Sequence, residues 1–384
     1  MAVEQNDSLE LRFHPSIAEI GATDWNALAG VSDPFTRYEF LHALETHHCV
    51  GEEFGWYPHH LSVRDANNQL VGACPLYIKT NSYGEFVFDW SWASAYEQAR
   101  VPYYPKLVCS IPYNPVTGAR LFAKDNIVKA IMIKQVIAVA DKLNMSGMHW
   151  LFTNEDDTSA FKEHDVMLRL GCQYHWHNHN YKDFDDFLST FVSRKRKKLK
   201  RERRMVQEQN IQIEVIHGNE ASQAQIELAH QYYESTFDRK SGIPTLTLPF
   251  FKDICASMGQ QVVFMFAKLA DNYVACAITL RSDDALFGRF WGCSEEYHSL
   301  HFETCFYQGI EYCIKHKLQR FEPGAQGEHK ITRGFLPTKT WSAHWIANSQ
   351  FKNVLQSFCE REQEAMHHQC EELCKLSPYR LDDQ

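Results

Sequence analysis

Val262-Val263-Phe264-Met265-Phe266-Ala267-Lys268-Leu269, the turn Ala270-Asp271-Asn272, and Tyr273-Val274-Ala275-Cys276-Ala277-Ile278-Thr279-Leu280 together decide the fold. Two apolar runs rich in β-branched and aromatic residues flank a short polar turn, so this segment predicts a β-hairpin. A third run follows at 285–291. The amphipathic stretch 300–316 then predicts a helix, and 318–322 predicts a short strand.

The same order of elements occurs earlier in the chain. Residues 61–64 and 69–77 predict a hairpin with the apolar run 86–90 after it, 127–143 predict a helix, and 147–152 predict a strand. This recurrence indicates an internal duplication. An antiparallel meander that leads into a helix and a parallel strand is the layout of acyltransferases of the GNAT type.

The fold class predicted from these patterns is α/β (α+β), with two tandem GNAT-like domains. Each domain is expected to be a mixed, mainly antiparallel sheet flanked by helices, for example 37–47 and 226–238, and a C-terminal helix is expected near 351–376. A chain of 384 residues exceeds the usual size of a single core. We place the domains at 1–178 and 179–384.

Composition bounds the class of protein. The chain is 44% hydrophobic, with a formal net charge of -9. No run reaches the roughly 18 apolar residues of a membrane helix, so no integral membrane segment is expected. Residues 1–10 are polar and acidic, unlike a signal peptide, which predicts a cytoplasmic protein. The 12 cysteines contain no Cys-x-x-Cys pair and are interpreted as reduced, buried thiols.

Reactive side chains are concentrated in the loop after the last short strand. The segment Phe321-Glu322-Pro323-Gly324-Ala325-Gln326-Gly327-Glu328-His329-Lys330-Ile331-Thr332-Arg333-Gly334-Phe335 holds two carboxylates, a histidine and two cations beside glycines. Pro323-Gly324 ends the strand pattern, which places Glu322 at the carboxyl end of the strand. Ligands of α/β sheets bind at such ends.

Several segments carry a family resemblance. Residues 324–337 resemble the signature of FemAB-like predicted N-acyltransferases, a family of peptidoglycan biosynthesis or recognition. Further similar segments, which extend the resemblance over about 35–345, are 103–107, 112–121, 173–178, 193–198 and 288–292.

The resemblance implies two fused GNAT-like domains and transfer of an acyl or aminoacyl group to an amine of a cell-wall precursor, a peptide or a small metabolite. We expect the site in a cleft between the two halves. The donor is acyl-CoA or aminoacyl-tRNA, and no metal is expected. The junction 295–303 lacks the glycine turn that holds a pyrophosphate and contains acids, which favours aminoacyl-tRNA. The alternative is a catalytically silent GNAT-like module that binds a cell-wall fragment or RNA.

Amide formation requires a base for the amine proton and donors for the oxyanion. His329 is the first candidate base, and Glu322 and Glu328 are near enough in sequence to orient it or to share the task. Glu303 and Tyr307 occupy one row of the predicted helix 300–316. They become a second base and an acid if that row faces the cleft, whereas an exposed helix face is the alternative.

Several residues are candidates for substrate binding. Lys330 and Arg333 would hold a phosphate or carboxylate, unless the loop charges only pair with one another. Arg289 and Trp291 alternate with Phe290 on a predicted strand, so one of these two sets is expected to face the cleft. The alternative for Arg289 and Trp291 is packing within the sheet. The candidates for acceptor recognition lie in proline-rich segments, with a solvated loop as the alternative: Tyr96, Tyr104, Lys106 and Arg120.

Two further patterns leave alternatives open. Arg194 to Arg204 contains nine basic residues and one acid, Glu202, on a predicted helix. This density suits contact with tRNA phosphates, a solvated helix face or a membrane surface. His175, His177 and His179 would share a strand face and could form a metal site. A polar strand face is the preferred interpretation. The oligomeric state is left open.

Overall fold

The computed structural model describes residues 9–240, 242–325 and 327–380. Most of the polar segment that argued against a signal peptide, residues 1–8, lies outside the described residues, as does Gln326 of the loop motif. The chain divides into two compact units. The first comprises 1–171 and 340–366, and the second comprises 172–339 and 367–384. The domain limits 1–178 and 179–384 stay a prediction.

The strands of the described ranges are β1 (Glu10–His14), β2 (Trp56–Pro58), β3 (His60–Arg64), β4 (Leu70–Cys74), β5 (Leu76–Lys79), β6 (Lys106–Cys109), β7 (Phe122–Ala123), β8 (Gly147–Thr153), β9 (Met167–His177), β10 (Ile211–His217), β11 (Val262–Leu269), β12 (Asn272–Arg281), β13 (Ala285–Cys293), β14 (Arg320–Glu322) and β15 (Leu336–Ile346).

The α-helices are α1 (Ala22–Ala29), α2 (Tyr38–Thr46), α3 (Trp90–Gln98), α4 (Asn126–Lys142), α5 (Glu155–Phe161), α6 (Phe184–Ser189), α7 (Ser193–Glu208), α8 (Gln223–Lys240), α9 (Leu248–Ser257), α10 (Leu300–Phe302), α11 (Gln308–His316) and α12 (Ser349–Cys374). A π-helical segment, Glu303–Tyr307, joins α10 to α11, and short 3₁₀ helices cover Ile17–Glu19 and Glu328–Arg333.

In the first unit, one sheet has the strand order β1-β3-β4-β7, and a second group of strands has the order β15-β8-β6-β5-β2. β5 and β6 are antiparallel, whereas β6 and β8 are parallel. Helix α4 buries Val128, Met132 and Val136 against this core. Their spacing of four residues places these side chains on one helix face.

The apolar run 86–90, matched in sequence to the third strand of the second unit, is not a strand. Phe86 has a left-handed backbone, with φ 60°, and Phe86 and Phe88 are exposed. α3 begins at Trp90. β6 occupies the place beside β5 instead, with Lys106 bound to the buried carboxylates of Glu85 and Asp89.

In the second unit, β11, β12 and β13 form the predicted antiparallel meander, and β10 pairs with β11 in the antiparallel direction as a further strand. Leu269 pairs with Asn272, so Ala270 and Asp271 make a two-residue turn, and Ala270 takes the left-handed conformation with φ 52°. β13 and β14 are parallel, and β14 pairs with β9 in the antiparallel direction. The mixed, mainly antiparallel GNAT-like sheet is therefore confirmed.

The helix predicted over 300–316 is present, and its middle widens into the π segment. Gly309 lies against the sheet, because a Cβ there would stand 2.3 Å from a ring atom of Phe321. Lys317, with φ 57°, ends the helix before β14. The predicted C-terminal helix is also confirmed as α12. Within the described ranges, no helix combines the length and apolar character that a membrane crossing requires.

Candidate active site

The parallel strands β13 and β14 pair over three residues and then open a cavity. Their pairing ends with Phe287 opposite Glu322. Beyond it lies a cavity of about 340 Å³ within the second unit. Its lining comprises Thr236, Ala277, Ile278, Thr279, Gly288, Arg289, Phe290, Trp291, His301, Cys305, Phe306, Pro323, Gly324, Ala325, His329 and Lys330.

His329 is brought to the cavity by the 3₁₀ helix that follows β14. Its ring centroid is 5.8 Å from that of Phe306 and 6.1 Å from that of Phe302. Partial burial lowers the pKa of His329, and the positive charges of Arg333 and Lys330 lower it further. A histidine with a pKa below its usual value of about 6.5 is a neutral imidazole at neutral pH, so it can accept a proton.

Lys330 is buried, although the adjacent His329 is exposed. Its Nζ donates a hydrogen bond to the carbonyl oxygen of Gly324 at 2.7 Å, which fixes the ammonium group at the cavity wall. Burial lowers the pKa of Lys330 to about 8. The side chain is therefore mostly charged at neutral pH, and it can donate to an oxygen that gains negative charge.

Arg289 and Trp291 line the cavity together with Phe290. Simple alternation predicted that only one of these two sets would face the site. The register between β12 and β13 shifts here, with Ile278 opposite Phe290 and Thr279 opposite Gly288. Such a bulge interrupts the alternation of side chains along a strand, which explains why both sets contribute.

Glu322 ends β14 as predicted, and it is buried beside the cavity lining rather than within it. Its Oε1 is 2.8 Å from Nε of Arg320, and its Oε2 is 3.7 Å from Nε2 of His175. Burial lowers the pKa of His175 to about 3, so that ring is neutral. Glu322 therefore balances Arg320 and the nearby Arg289.

Arg333 and Tyr307 meet on the side of the loop that faces α7. Arg333 is buried and donates to both carboxylate oxygens of Glu202 at 3.0 and 3.1 Å, to Tyr307 Oη at 3.1 Å and to the carbonyl oxygen of His329 at 3.0 Å. Tyr307 in turn donates to Glu202. Burial raises the pKa of Tyr307, which keeps its hydroxyl protonated.

Glu303 belongs to the same side of the helix as Tyr307. Its carboxylate accepts hydrogen bonds from Arg203 of α7, with Nη2 at 2.9 Å, and from Gln308. Neither Glu303 nor Tyr307 is among the residues that line the cavity. The polar row 303/307 therefore contacts α7, and the cavity is faced by His301, Cys305 and Phe306.

The other predicted residues of the loop and helix fall as follows. Glu328 is exposed at the start of the 3₁₀ helix, and its share in catalysis stays a prediction. Thr236, Thr279 and Cys305 are among the lining residues that the sequence did not mark as site candidates. Cys305 could not be recognised from the sequence. A regular α-helix that directs Glu303 and Tyr307 to the site would direct Cys305 elsewhere.

In the first unit, Tyr104 and Lys106 belong to one buried polar cluster. Lys106 is fully buried and its Nζ is 2.8 Å from Glu85 Oε2 and 3.1 Å from Ser82 Oγ. The Ser82 hydroxyl is also 2.8 Å from Tyr104 Oη. A lysine with these partners is compensated within the unit, so its positive charge supports the fold.

Tyr96 and Arg120 are core residues, so the alternative of a solvated loop is wrong for both, and their part in acceptor recognition stays a prediction. Tyr96 lies on α3, is 1% exposed and stacks on Phe351 with ring centroids 3.8 Å apart. Arg120 is 1% exposed, and its guanidinium donates to the carbonyl oxygens of Leu151 and Val116. Both side chains hold the first unit together.

The basic segment forms α7 as predicted. Leu199, Glu202 and Val206 make its buried face. The basic residues of its exposed face are Arg194, Lys197, Lys198, Lys200, Arg201 and Arg204. Helical spacing thus separates the one acid from most of the cations.

The three histidines considered as a metal face are separated by the strand end. His175 and His177 lie on β9, whereas His179 follows it. Among the described residues, no group of three or more His, Cys, Asp or Glu side chains has the arrangement of a metal site.

The sheet with its parted parallel strands and the cavity at that opening define a tandem GNAT-type protein. The family comparison agrees: residues 16–381 match the FemAB-like family, described as peptidoglycan biosynthesis/recognition. The chain belongs to this family. Membership indicates an acyl or aminoacyl transferase.

Solved structures show the same fold. The crystal structure of FemX matches with a TM-score of 0.55 at 10% identity and covers 90% of this chain and 100% of its own. L-PGS from Bacillus licheniformis matches with a TM-score of 0.54 at 10% identity, covering 92% of this chain and 98% of its own. A comparison with curated proteins finds no match.

Proposed function

We propose that the protein forms an amide bond by transferring an acyl or aminoacyl group from an ester or thioester donor to an amine acceptor. The observation that carries this proposal is that His329 and Lys330 both line the cavity that lies where the pairing of β13 and β14 ends. One side chain is suited to accept a proton and the other to donate to an oxyanion.

In the proposed reaction, the acceptor nitrogen attacks the donor carbonyl carbon and a carbon–nitrogen bond forms. His329 removes the amine proton, and the Lys330 ammonium stabilises the negative oxygen of the tetrahedral intermediate. The bond from carbon to the donor oxygen or sulfur then breaks, and the proton passes from His329 to the leaving group. His329 is again a neutral imidazole at the end of the cycle.

Trp291 and Phe306 supply apolar surface around the acyl group. We assign no catalytic step to Glu303, Tyr307 or Arg333, because their mutual contacts and those with α7 hold the loop in place. Roles of Tyr104 and Lys106 in acceptor recognition stay predictions.

The donor is proposed to be aminoacyl-tRNA rather than acyl-CoA. Ser299, with φ 65°, takes the left-handed conformation at the start of α10 without a glycine, and Glu295 and Glu296 are exposed on the segment before it. Acids at a helix start oppose a pyrophosphate. The exposed cations of α7 provide a surface for tRNA phosphates.

The acceptor is proposed to be an amine of a cell-wall precursor, in keeping with the family description. A peptide or a small metabolite is a second source of the same amine.

A donor screen followed by a paired variant test examines the function. Melting temperatures of the full chain are measured with acetyl-CoA, uncharged tRNA and aminoacylated tRNA, and the donor that stabilises the protein is incubated with candidate amines. Mass spectrometry then detects the amide. We expect His329→Ala to lower the rate about 10²- to 10⁴-fold, as for loss of a general base.

His368→Ala is the matched control, since His368 is an exposed histidine of the same unit. Its rate should equal that of the unaltered protein. Stabilisation by acetyl-CoA would overturn the donor assignment. Unchanged turnover in His329→Ala would overturn the assignment of the base, and donor binding without any amide product would favour the silent binding module.

A further inference from the structure

The cavity has a positive lining in an acidic protein. Arg289 and Lys330 contribute cations, His301 and His329 contribute imidazoles, and among its described lining residues there is no carboxylate. The chain as a whole has a formal net charge of -9. The positive character is therefore a local property of this cavity, and an enclosed site strengthens the effect of such charges on a ligand.

The two cations reach the cavity from different elements. Arg289 lies at the bulge of β13, whereas Lys330 lies on the 3₁₀ helix after β14. Burial lowers the pKa of Arg289 to about 10, and that of Lys330 to about 8. Both values lie above 7, so the half-buried Arg289 and the buried Lys330 both carry their charge at neutral pH.

One carboxylate beside the cavity, that of Glu322, is held by other groups. Glu322 is buried beside the lining, with its Oε1 2.8 Å from Nε of Arg320. Its negative charge is shared between Arg320 and Arg289. Among the described lining residues, a cationic ligand would thus meet Arg289 and Lys330 and no carboxylate. An anionic ligand would find a guanidinium, the side chain best suited to oxyanions.

We infer that the cavity binds a small anionic group of a reactant, a carboxylate or a phosphate, through Arg289. This inference rests on the proposed function, and it names the class of group that accompanies the reacting carbonyl or amine.

Isothermal titration calorimetry on the full chain tests the inference with probes of matched length. Glutarate, 1,5-pentanediol and cadaverine each have a five-carbon chain, with negative, neutral and positive ends respectively. Inorganic phosphate is the fourth probe and distinguishes a phosphate site from a carboxylate site. We expect glutarate or phosphate to bind, and pentanediol and cadaverine to bind at least about 10-fold more weakly.

Variants assign the binding to Arg289. Arg289→Gln should weaken anion binding about 10- to 100-fold, the loss expected for a charge-assisted hydrogen bond. Arg289→Lys should recover part of the affinity, and its melting temperature reports whether the sheet remains folded. Arg281→Gln is the control, because Arg281 lies on the neighbouring strand β12 outside the cavity lining and should leave affinity unchanged.

Cadaverine binding as tightly as glutarate and phosphate, no binding by either anion, or equal losses in Arg289→Gln and Arg281→Gln would each overturn the inference. These outcomes are separable from the fate of the proposed function. Anion binding at Arg289 without amide formation would remove the transferase proposal and leave the anion site. Amide formation with neutral or cationic reactants only would remove the anion site and leave the transferase proposal.

Discussion

Replacing Arg333 by methionine should destabilise the second unit, although this arginine does not line the cavity. The side chain of Arg333 is 3% exposed, and that of Glu202 is 10% exposed. Methionine keeps an apolar stem and removes the hydrogen bonds to Glu202, Tyr307 and the carbonyl oxygen of His329. The buried Glu202 then lacks its main compensating charge.

The size of the effect follows from what remains. Removing one partner of a buried ion pair costs about 3–5 kcal/mol. Glu202 would retain the hydrogen bond from Tyr307 and the ammonium of Lys198 at 3.8 Å, so we expect the lower end, about 3 kcal/mol. Arg204→Met removes an exposed pair with Glu208, 67% and 66% exposed, and should cost less than about 0.5 kcal/mol.

Urea unfolding followed by tryptophan fluorescence measures both variants against the unaltered protein. The double variant Glu202→Gln/Arg333→Met should recover much of the loss, because a neutral amide does not require a counter-charge. Equal midpoints for Arg333→Met and Arg204→Met would refute the reasoning. A double variant no more stable than Arg333→Met would show that lost packing rather than an unpaired carboxylate causes the effect.

Further predictions concern rate, packing and RNA binding. The rate of amide formation should rise with pH as His329 loses its proton below about pH 6.5, and it should fall near pH 8 as Lys330 loses its proton. Lys330→Arg should move the fall in rate to higher pH. A rate that does not change with pH would contradict both roles. Gly292→Ala should cost about 3 kcal/mol in chemical denaturation, because a Cβ would stand 2.0 Å from the carbonyl oxygen of Tyr232; an unchanged midpoint would contradict that close approach. Arg201→Gln should weaken tRNA binding and reduce the slope of log K against log salt by about 0.7 to 0.9, provided that Arg201 contacts a phosphate; an unchanged slope would show that it does not.

The elements that could be predicted from sequence are those defined by local periodicity. The two apolar runs within 262–280 and the polar turn between them predicted the pairing of β11 with β12, and the turn itself set the register. The helix 300–316 was recognisable because its apolar side chains recur every three to four residues. Glu322 at the end of β14 was predictable from the Pro-Gly that follows it.

The direction in which individual side chains point could not be predicted, because local irregularities of the helix and the strand rotate them. A π segment at 303–307 and a bulge at Arg289 both change the relation between sequence spacing and direction. His301 and Cys305 therefore face the cavity, and Tyr307 faces α7. The burial of Lys106 depends on carboxylates 17 and 21 residues away, which no local pattern relates to it.

The acid within the basic helix shows why a charge pattern and a site cannot be interpreted separately. Glu202 interrupts a run of nine basic residues, yet it is buried and bound to Arg333, which also donates to the carbonyl oxygen of His329. Since α7 is attached to the 3₁₀ helix through this carboxylate, a polyanion bound to the exposed cations of α7 would act on the element that carries His329 and Lys330. Under the proposed function, this ion pair would link contact with a charged donor to the geometry of the proposed base, and the rate of amide formation by Arg333→Met would test that linkage.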